Sequence, residues 1–148
     1  MVETVNIADI EKAAARLDGV SIHTPLLQNV ELDQAVGGKV LIKPECLQVT
    51  GSFKIRGAYN RLSQLTDEQA SNGVVAWSSG NHAQGVAAAG AMLDIQTTIV
   101  MPEDAPRAKL ENTKRLGGEV VTYDRYTGDR EVIAKQVGSR TEQRRGRG

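Results

Sequence analysis

The sequence predicts an α/β fold of three layers, in which a twisted parallel β-sheet carries helices on both faces. Two observations predict it. Between residues 52 and 137, short apolar stretches alternate with longer stretches whose apolar residues recur at helical spacing. The short stretches are apolar throughout, as expected of strands that are buried on both sides. Crossover connections between such parallel strands place helices against the sheet.

The first 47 residues predict two helices and two extended segments. Asn6 is a suitable N-cap for the first helix, and Gly19 and the Gly37–Gly38 pair are suitable helix ends. Pro25 keeps the residue before it extended. The predicted elements are a helix over 7–17, an extended segment over 24–27, a helix over 30–36 and a strand over 40–43.

The rest of the chain alternates between helices and strands. Thr66 and Gln69 form a capping-box pattern, and Pro106 suits the first turn of a helix that ends before Gly117. The predicted elements are a helix over 52–65, a helical turn from residue 66, a strand over 73–77, a helix over 81–93, a strand over 97–101, a helix over 106–116, a strand over 119–123 and a helix from 129 to about 137.

Composition argues against several classes of protein. Basic and acidic residues number 18 each, so charge gives no case for a nucleic-acid partner or an anionic membrane surface. A single cysteine, Cys46, excludes an internal disulfide and fits a reducing compartment. We expect Cys46 to be a small buried side chain, with a nucleophile as the alternative. The chain has no apolar run of membrane-spanning length and no signal-peptide pattern. We therefore expect a cytoplasmic protein.

Residues 78–82, SSGNH, connect an apolar strand to an alanine-rich helix. The backbone N–H groups at the start of that helix lack partners within it and are aimed at an anion. Ser78, Ser79 and Asn81 add side-chain donors, and Gly80 permits close approach of the backbone. The loop therefore suits a carboxylate or a phosphate. The alternative is that Ser79 or Asn81 only caps the helix.

Residues 51–58, GSFKIRGA, place Lys54 among small and apolar neighbours near a helix start. The positive end of the helix dipole and burial both favour a neutral amine, which a nucleophilic lysine needs. The alternative is a surface lysine whose neighbours are accidental.

Together the two stretches resemble the fold-type-II pyridoxal-phosphate enzymes, in particular the branch of threonine/serine dehydratases and serine racemase. The resemblance extends from about Ile7 to Val137. It rests on HTPLL at 23–27, KPECLQVTGSFKIRGA at 43–58, SSGNHAQGVA at 78–87 and MPEDAPRAK at 101–109. It implies a tryptophan synthase β-like fold and pyridoxal 5′-phosphate as the cofactor.

The resemblance also implies roles for individual residues. Lys54 would form the Schiff base with the cofactor and remove the Cα proton of the substrate. Phe53 would pack on the pyridine ring or in the core, and Asn81 would hydrogen-bond the 3-hydroxyl of the cofactor. Ser79 would lie on the ring face opposite Lys54 as a second acid or base. The substrate carboxylate site would comprise Ser78, Ser79, Gly80, His82 and, by a weaker likeness, Arg130, for which a solvated helix face is the alternative.

The implied reaction is an α,β-elimination that converts L-threonine into 2-oxobutanoate and ammonia, or L-serine into pyruvate and ammonia, in amino-acid metabolism such as isoleucine biosynthesis. A serine racemase-like enzyme and a catalytically inactive ligand-binding fragment are alternatives. A nucleotide-binding Rossmann domain is disfavoured, because no GxGxxG follows a predicted strand. We expect a small amino-acid substrate, a homo-oligomer when the enzyme is complete, and no metal, nucleic acid or membrane partner.

The resemblance further predicts how the chain is divided. Residues 1–47 would belong to a large domain, residues 48–138 would form most of a small domain with the lysine and asparagine loops, and residues 139–148 would be a disordered basic tail. Members of the family are roughly twice as long, and their second half carries the glycine-rich loop for the cofactor phosphate. We therefore expect little or no activity from this chain alone, and an exposed apolar interdomain surface.

Overall fold

The computed structural model describes residues 4–145, with side chains up to residue 139. Two 3₁₀ turns, Glu45–Leu47 and Val49–Gly51, precede the third helix. No helix within residues 4–145 is both long enough and apolar enough to cross a membrane. The other elements, in chain order, are α1 (Ile7–Arg16), β1 (Leu27–Gln28), α2 (Val30–Val36), β2 (Leu41–Ile42), α3 (Lys54–Leu62), α4 (Asp67–Asn72), β3 (Val74–Trp77), α5 (Asn81–Met92), β4 (Thr97–Pro102), α6 (Arg107–Arg115), β5 (Glu119–Tyr123) and α7 (Arg130–Arg145).

The main sheet has three parallel strands in the order β3-β4-β5. Val74 lies opposite Thr97, and Thr98 lies opposite Glu119. The central strand β4 is buried over its whole length. Helices α5 and α6, which form the two crossovers, pack on the sheet, and α7 returns to pack on β3 and β4. Because both crossovers advance in the same direction across the sheet, α5 and α6 lie on one face of it. Helix α7 therefore covers the opposite face. The predicted three-layer α/β architecture is confirmed.

The core lies between α3, α5 and the sheet. Ile55 of α3 and Ile99 and Met101 of β4 are fully buried there. The buried part of α5 is mostly alanine and glycine, so α3 packs closely against it. At Gly85 the two helices approach closely: an added Cβ would lie 3.0 Å from the backbone carbonyl carbon of Lys54. The small residues of α5 therefore set the position of the start of α3.

The N-terminal segment, residues 4–47, is largely uncovered. Its β1 and β2 form an antiparallel pair, with Leu27 opposite Ile42. Thr24 is its single buried residue among those described. Cys46 is exposed, so the prediction that it is buried was wrong, because no described layer covers this segment. Large apolar side chains that are about half exposed or more include Val5, Ile7, Ile10, Leu26, Val30 and Val36.

Side chains attach this segment to the rest of the molecule. Arg56 of α3 donates from Nε to Glu45 Oε2 at 2.9 Å and from Nη2 to Glu45 Oε1 at 2.8 Å. These hydrogen bonds lower the pKa of Glu45 to about 2. The buried Gln48 accepts from the backbone N–H of Ile22 at 2.8 Å and donates to its carbonyl oxygen at 2.9 Å.

Two elements differ from the sequence prediction. Helix α3 begins at Lys54 rather than Ser52, because Thr50 and Gly51 have φ of 65° and 71° and turn the chain sharply before it. Helix α7 continues to Arg145, whereas we predicted a helix to about Val137 followed by a disordered tail. Arginine, glutamate and glutamine in that stretch are good helix formers, which explains the extension. Residues 146–148 of the predicted tail lie outside the described residues.

Candidate functional site

An open cleft of about 620 Å³ lies where the parallel strands β3, β4 and β5 end. Ser78 and Ser79, which follow β3, form part of its lining. Tyr123, Arg125 and Arg130 line it from the side of β5 and α7. The cleft is therefore at the carboxyl edge of the sheet, the place where ligands of such sheets bind. The structure brings Ser78, Ser79 and Arg130 together in one cleft.

The loop before α5 presents backbone donors to this edge. The Ser78 N–H donates to the Val100 carbonyl at 3.1 Å, which ties the loop to β4. The Ser78 hydroxyl accepts from the Gly80 N–H at 3.3 Å. Gly80 is the N-cap of α5, and no side chain caps this helix. The alternative that Ser79 or Asn81 only caps the helix was therefore wrong, and the first N–H groups of α5 stay available to an anion.

Lys54 is the first residue of α3 and is half-buried. Its Nζ lies 4.8 Å from the centroid of the Phe53 ring, within the range of a cation–π contact. Phe53 itself is 56% exposed, so it is not a core residue. An exposed aromatic ring therefore lies beside the lysine amine.

His82, in the first turn of α5, is close enough to Lys54 for the two charges to interact. Burial lowers the pKa of His82, and the positive charge of Lys54 lowers it further. The imidazole is therefore neutral at neutral pH, with one donor and one acceptor nitrogen. That state suits the role of hydrogen-bond donor that the resemblance implies for His82.

Asn81 is the first residue of α5, and its side chain has one hydrogen-bond partner among residues 4–139. Lys109 of α6 donates from Nζ to Asn81 Oδ1 at 2.7 Å. The Asn81 side-chain amide group therefore keeps its NH₂ available as a donor. Four predicted site residues therefore lie at the starts of α3 and α5, which pack against each other: Phe53, Lys54, Asn81 and His82.

Two guanidinium groups line the cleft. Arg130, the first residue of α7, is exposed and forms no ion pair with any residue between 4 and 139. Arg125 donates from Nε to Asp104 Oδ1 at 2.8 Å at the cleft margin. Asp129, which also lines the cleft, is engaged as the cap of α7, because Oδ1 accepts from the backbone N–H groups of Glu131 and Val132.

Sequence reasoning missed three residues that shape this site. Arg125 is on a loop after β5 and carries no periodic signal, while Gly85 is one of many small residues in α5. Lys109 belongs to the motif MPEDAPRAK, but only the packing of α6 beside α5 shows which side chain it contacts. The described residues contain no group of three His, Cys, Asp or Glu side chains that could hold a metal ion.

The donor set fits pyridoxal phosphate. A primary amine, Lys54 Nζ, can bond an aldehyde carbon, and an exposed aromatic ring lies beside it. The Asn81 amide offers a donor, and α5 offers uncapped N–H groups. These are the groups needed to bond the aldehyde, to hold a ring oxygen and to bind a carboxylate.

Comparison with known proteins assigns the family. The family model described as "Pyridoxal-phosphate dependent enzyme" matches residues 18–146. An L-threo-3-hydroxyaspartate ammonia-lyase from Pseudomonas sp is 52% identical over 129 residues, which are 87% of this chain and 40% of that protein. A catabolic L-threonine dehydratase from Staphylococcus aureus is 48% identical over 118 residues, 79% of this chain and 34% of that protein.

A solved structure agrees with these matches. Maize serine racemase superposes with a TM-score of 0.89 at 41% identity, over 95% of this chain and 43% of that one. This chain spans about 40% of the length of the curated Pseudomonas relative. The tryptophan synthase β-like fold and the pyridoxal-phosphate dependence that the sequence implied are confirmed. The chain therefore belongs to the family of pyridoxal-phosphate dependent enzymes, in its fold-type-II group of ammonia-lyases and amino-acid racemases.

Proposed function

We propose that this chain carries the lysine and asparagine loops of an ammonia-lyase that acts on β-hydroxy amino acids. L-Threonine would give 2-oxobutanoate and ammonia, and L-serine would give pyruvate and ammonia. The observation that carries the proposal is the closeness of Lys54 and His82 where α3 and α5 begin, with Asn81 and uncapped helix N–H groups at the start of α5. The similarity to the Staphylococcus aureus dehydratase supports it.

The residues predicted to contact the cofactor each have a task in this proposal. Pyridoxal phosphate, when bound, supplies the electron sink that stabilises negative charge at the substrate Cα. Lys54 would hold the cofactor through Nζ. Once the substrate amine has displaced Nζ, the same atom would accept the Cα proton. The Asn81 NH₂ would hold the ring oxygen, and Phe53 would lie against the ring.

The remaining predicted residues would bind and orient the substrate. The N–H groups at the start of α5, together with Ser78, Gly80 and His82, would hold the substrate carboxylate. The Ser79 hydroxyl would hold or donate a proton on the side opposite Lys54. A racemase needs such a second acid or base, so serine racemase activity stays the alternative, supported by the likeness to the maize enzyme.

The first test is covalent trapping of Lys54. Purified chain is mixed with pyridoxal phosphate and reduced with borohydride, and the modified peptide is identified by mass spectrometry. We expect modification at Lys54 and loss of that adduct in Lys54→Ala. Lys114→Ala, an exposed lysine of α6, is the matched control and keeps the adduct. Random labelling of surface lysines, with Lys54 no more modified than Lys114, would contradict the proposal.

A second substrate class is favoured by the charge of the cleft. Arg130, which has no ion-pair partner among residues 4–139, lines it together with Arg125, which is paired with Asp104. A substrate held by the Ser78–Ser79 loop through one carboxylate therefore meets positive charge for a second one. The similarity to the L-threo-3-hydroxyaspartate ammonia-lyase supports this candidate. The same elimination would convert hydroxyaspartate into oxaloacetate and ammonia.

Arg125→Met separates the two substrate classes. If the substrate is a dicarboxylate, we expect a loss of about 10-fold or more in binding or turnover of hydroxyaspartate, the effect of one charged hydrogen bond. Binding and turnover of threonine would be unchanged. Arg107→Met, which removes an exposed arginine paired with Glu111 on α6, is the control. Equal losses for both substrates would remove hydroxyaspartate as the preferred class.

A further inference from the structure

The contact between Lys109 and Asn81 joins two helices at the site. Lys109, in the first turn of α6, reaches the first residue of α5, and the separation of Lys109 Nζ and Asn81 Oδ1 is 2.7 Å. Lys109 is half-buried and forms no ion pair with a carboxylate among the described residues. Asn81 Oδ1 is its hydrogen-bond acceptor.

The chemistry of this contact fixes the orientation of the amide. An ammonium group has three donors and no acceptor, so it can face only the oxygen of a carboxamide and never the NH₂. The assignment of Oδ1 and Nδ2 is therefore decided by the partner. With Lys109 present, the NH₂ of Asn81 must point away from α6 and stay free to donate elsewhere.

We propose that Lys109 is a positioning residue of the site, which acts through Asn81. It holds the amide so that the NH₂, and not the oxygen, is offered to the cofactor ring oxygen, and it keeps a positive charge behind that donor. This inference rests on the proposed function, because it takes Asn81 as the residue that holds the ring. Without Lys109, the exposed amide is free to turn, and its oxygen would then face the ring oxygen with no proton between them.

The amide can be observed directly, before any cofactor is added. The side-chain NH₂ of Asn81 gives its own ¹H–¹⁵N signals, assigned by their loss in Asn81→Ala. We expect an ordered amide in the wild type and in Lys109→Arg, which keeps a cationic donor. Lys109→Met should show a mobile amide with a reduced heteronuclear NOE. Lys114→Met makes the same change in charge at the other end of α6 and should resemble the wild type.

Pyridoxal phosphate is then added, and two quantities are read for each variant. They are the apparent Kd and the ratio of the two absorbance bands that the lysine-bound cofactor shows, which reports the proton near its ring oxygen. We expect Lys109→Met to weaken binding about 10-fold, as for one charged hydrogen bond, and to change the band ratio. Lys109→Arg should restore both.

The two readouts separate the possible failures. If Lys109→Met leaves both the Asn81 amide order and the band ratio as in the wild type, the positioning role is wrong. If the wild type forms no Lys54 adduct at all, the proposed function fails, and the amide measurement alone then decides whether Lys109 orients Asn81. A loss of folding in Lys109→Met alone, seen as a collapsed spectrum, would make Lys109 a stability residue and overturn the inference.

Discussion

At the scale of single residues, Gly85 determines how close α5 comes to the reactive lysine. A Cβ at this position would lie 3.0 Å from the carbonyl carbon, 3.1 Å from the carbonyl oxygen of Lys54 and 3.2 Å from the Ile55 nitrogen. All three neighbours are backbone atoms, which cannot rotate away as a side chain does. A methyl group would therefore push the start of α3, and Lys54 with it, away from α5.

Gly85→Ala tests this placement. We expect a loss of about 1–3 kcal/mol in the free energy of unfolding, as for other overpacked cores, and lower borohydride trapping of Lys54. The unfolding free energy is measured with urea, and the trapping by mass spectrometry.

Two other glycines serve as controls for Gly85→Ala. At Gly90, also in α5, a Cβ would lie 2.3 Å from Thr97 Cγ2, so Gly90→Ala should destabilise the fold while folded molecules keep normal trapping of Lys54. A Cβ added at Gly57 would meet no atom within 4 Å apart from its chain neighbours and its own helix backbone. Gly57→Ala should therefore stabilise α3 by about 0.5–1 kcal/mol. Equal loss of trapping in Gly85→Ala and Gly90→Ala would reduce Gly85 to a packing residue.

At the scale of elements, the pairing of Glu45 with Arg56 makes the junction between the N-terminal segment and α3 sensitive to acid. Arg56 lowers the pKa of Glu45 from 4.5 to about 2. Because the folded pKa is below the unfolded value, the pair contributes its full stability above pH 4.5 and loses it as the pH falls towards 2. At neutral pH this contribution is about 1–3 kcal/mol.

Glu45→Gln should show this dependence. We expect the variant to unfold at a lower temperature than the wild type at pH 7, with the two curves converging between pH 4.5 and pH 2. Asp33 and Asp124 also have lowered pKa values. Because both residues are present in the wild type and in Glu45→Gln, their contributions cancel when the two unfolding temperatures are compared. Glu111→Gln breaks an exposed pair on α6 and should change little. If the unfolding temperatures of the wild type and Glu45→Gln differed by the same amount at all pH values, the charge pair of Glu45 with Arg56 would not be the source of the difference.

Sequence periodicity predicted the elements with strong local signals. The capping box at Thr66 and the N-cap at Asn6 are both formed, and the residues of β5 are those predicted. The pairing of β1 with β2 was missed, because two residues are too few for a periodic pattern. The extent of α7 was missed because its last turns carry no apolar face.

The site was predictable where its residues are adjacent in sequence. The stretch 78–82 could be identified because all five of its residues are polar or small and lie where an apolar strand gives way to an alanine-rich helix. The contacts of Lys109 with Asn81 and of Gly85 with Lys54 join residues 28 and 31 positions apart, as the numbering gives them. Such contacts depend on how three helices pack, which local patterns do not specify.

At the scale of the whole molecule, the N-terminal segment presents an apolar surface. Ile7 is 69% exposed, Ile10 56% and Val30 67%. Large apolar side chains that are exposed together on one segment are typical of a surface that another surface covers. The homo-oligomer of the complete enzyme, its cytoplasmic location and the three-part division of the chain stay predictions.

We expect this surface to make the chain self-associate, because association removes apolar area from water. Sedimentation velocity over a range of concentrations should show a rising average mass. The double variant Ile10→Glu/Val30→Glu should lower that mass with little change in unfolding temperature, since neither side chain is buried. Val132→Glu, compared with the single variants Ile10→Glu and Val30→Glu, adds the same charge at an exposed site of α7 and is the control. An equal effect of all three substitutions would point to net charge as the cause.

Gln48 has a consequence for how the molecule can move. Its carboxamide offers the same donor and acceptor as a peptide group, and it bonds both backbone groups of Ile22, so one side chain takes the place of a neighbouring strand. Two further side-chain contacts lie at the same junction: Arg56 with Glu45, and Arg16 with Asn60. No backbone hydrogen bond joins residues 4–42 to residues 52–139. Separating the two sides would therefore break these side-chain hydrogen bonds, but none of the backbone hydrogen bonds of the strands and helices on either side.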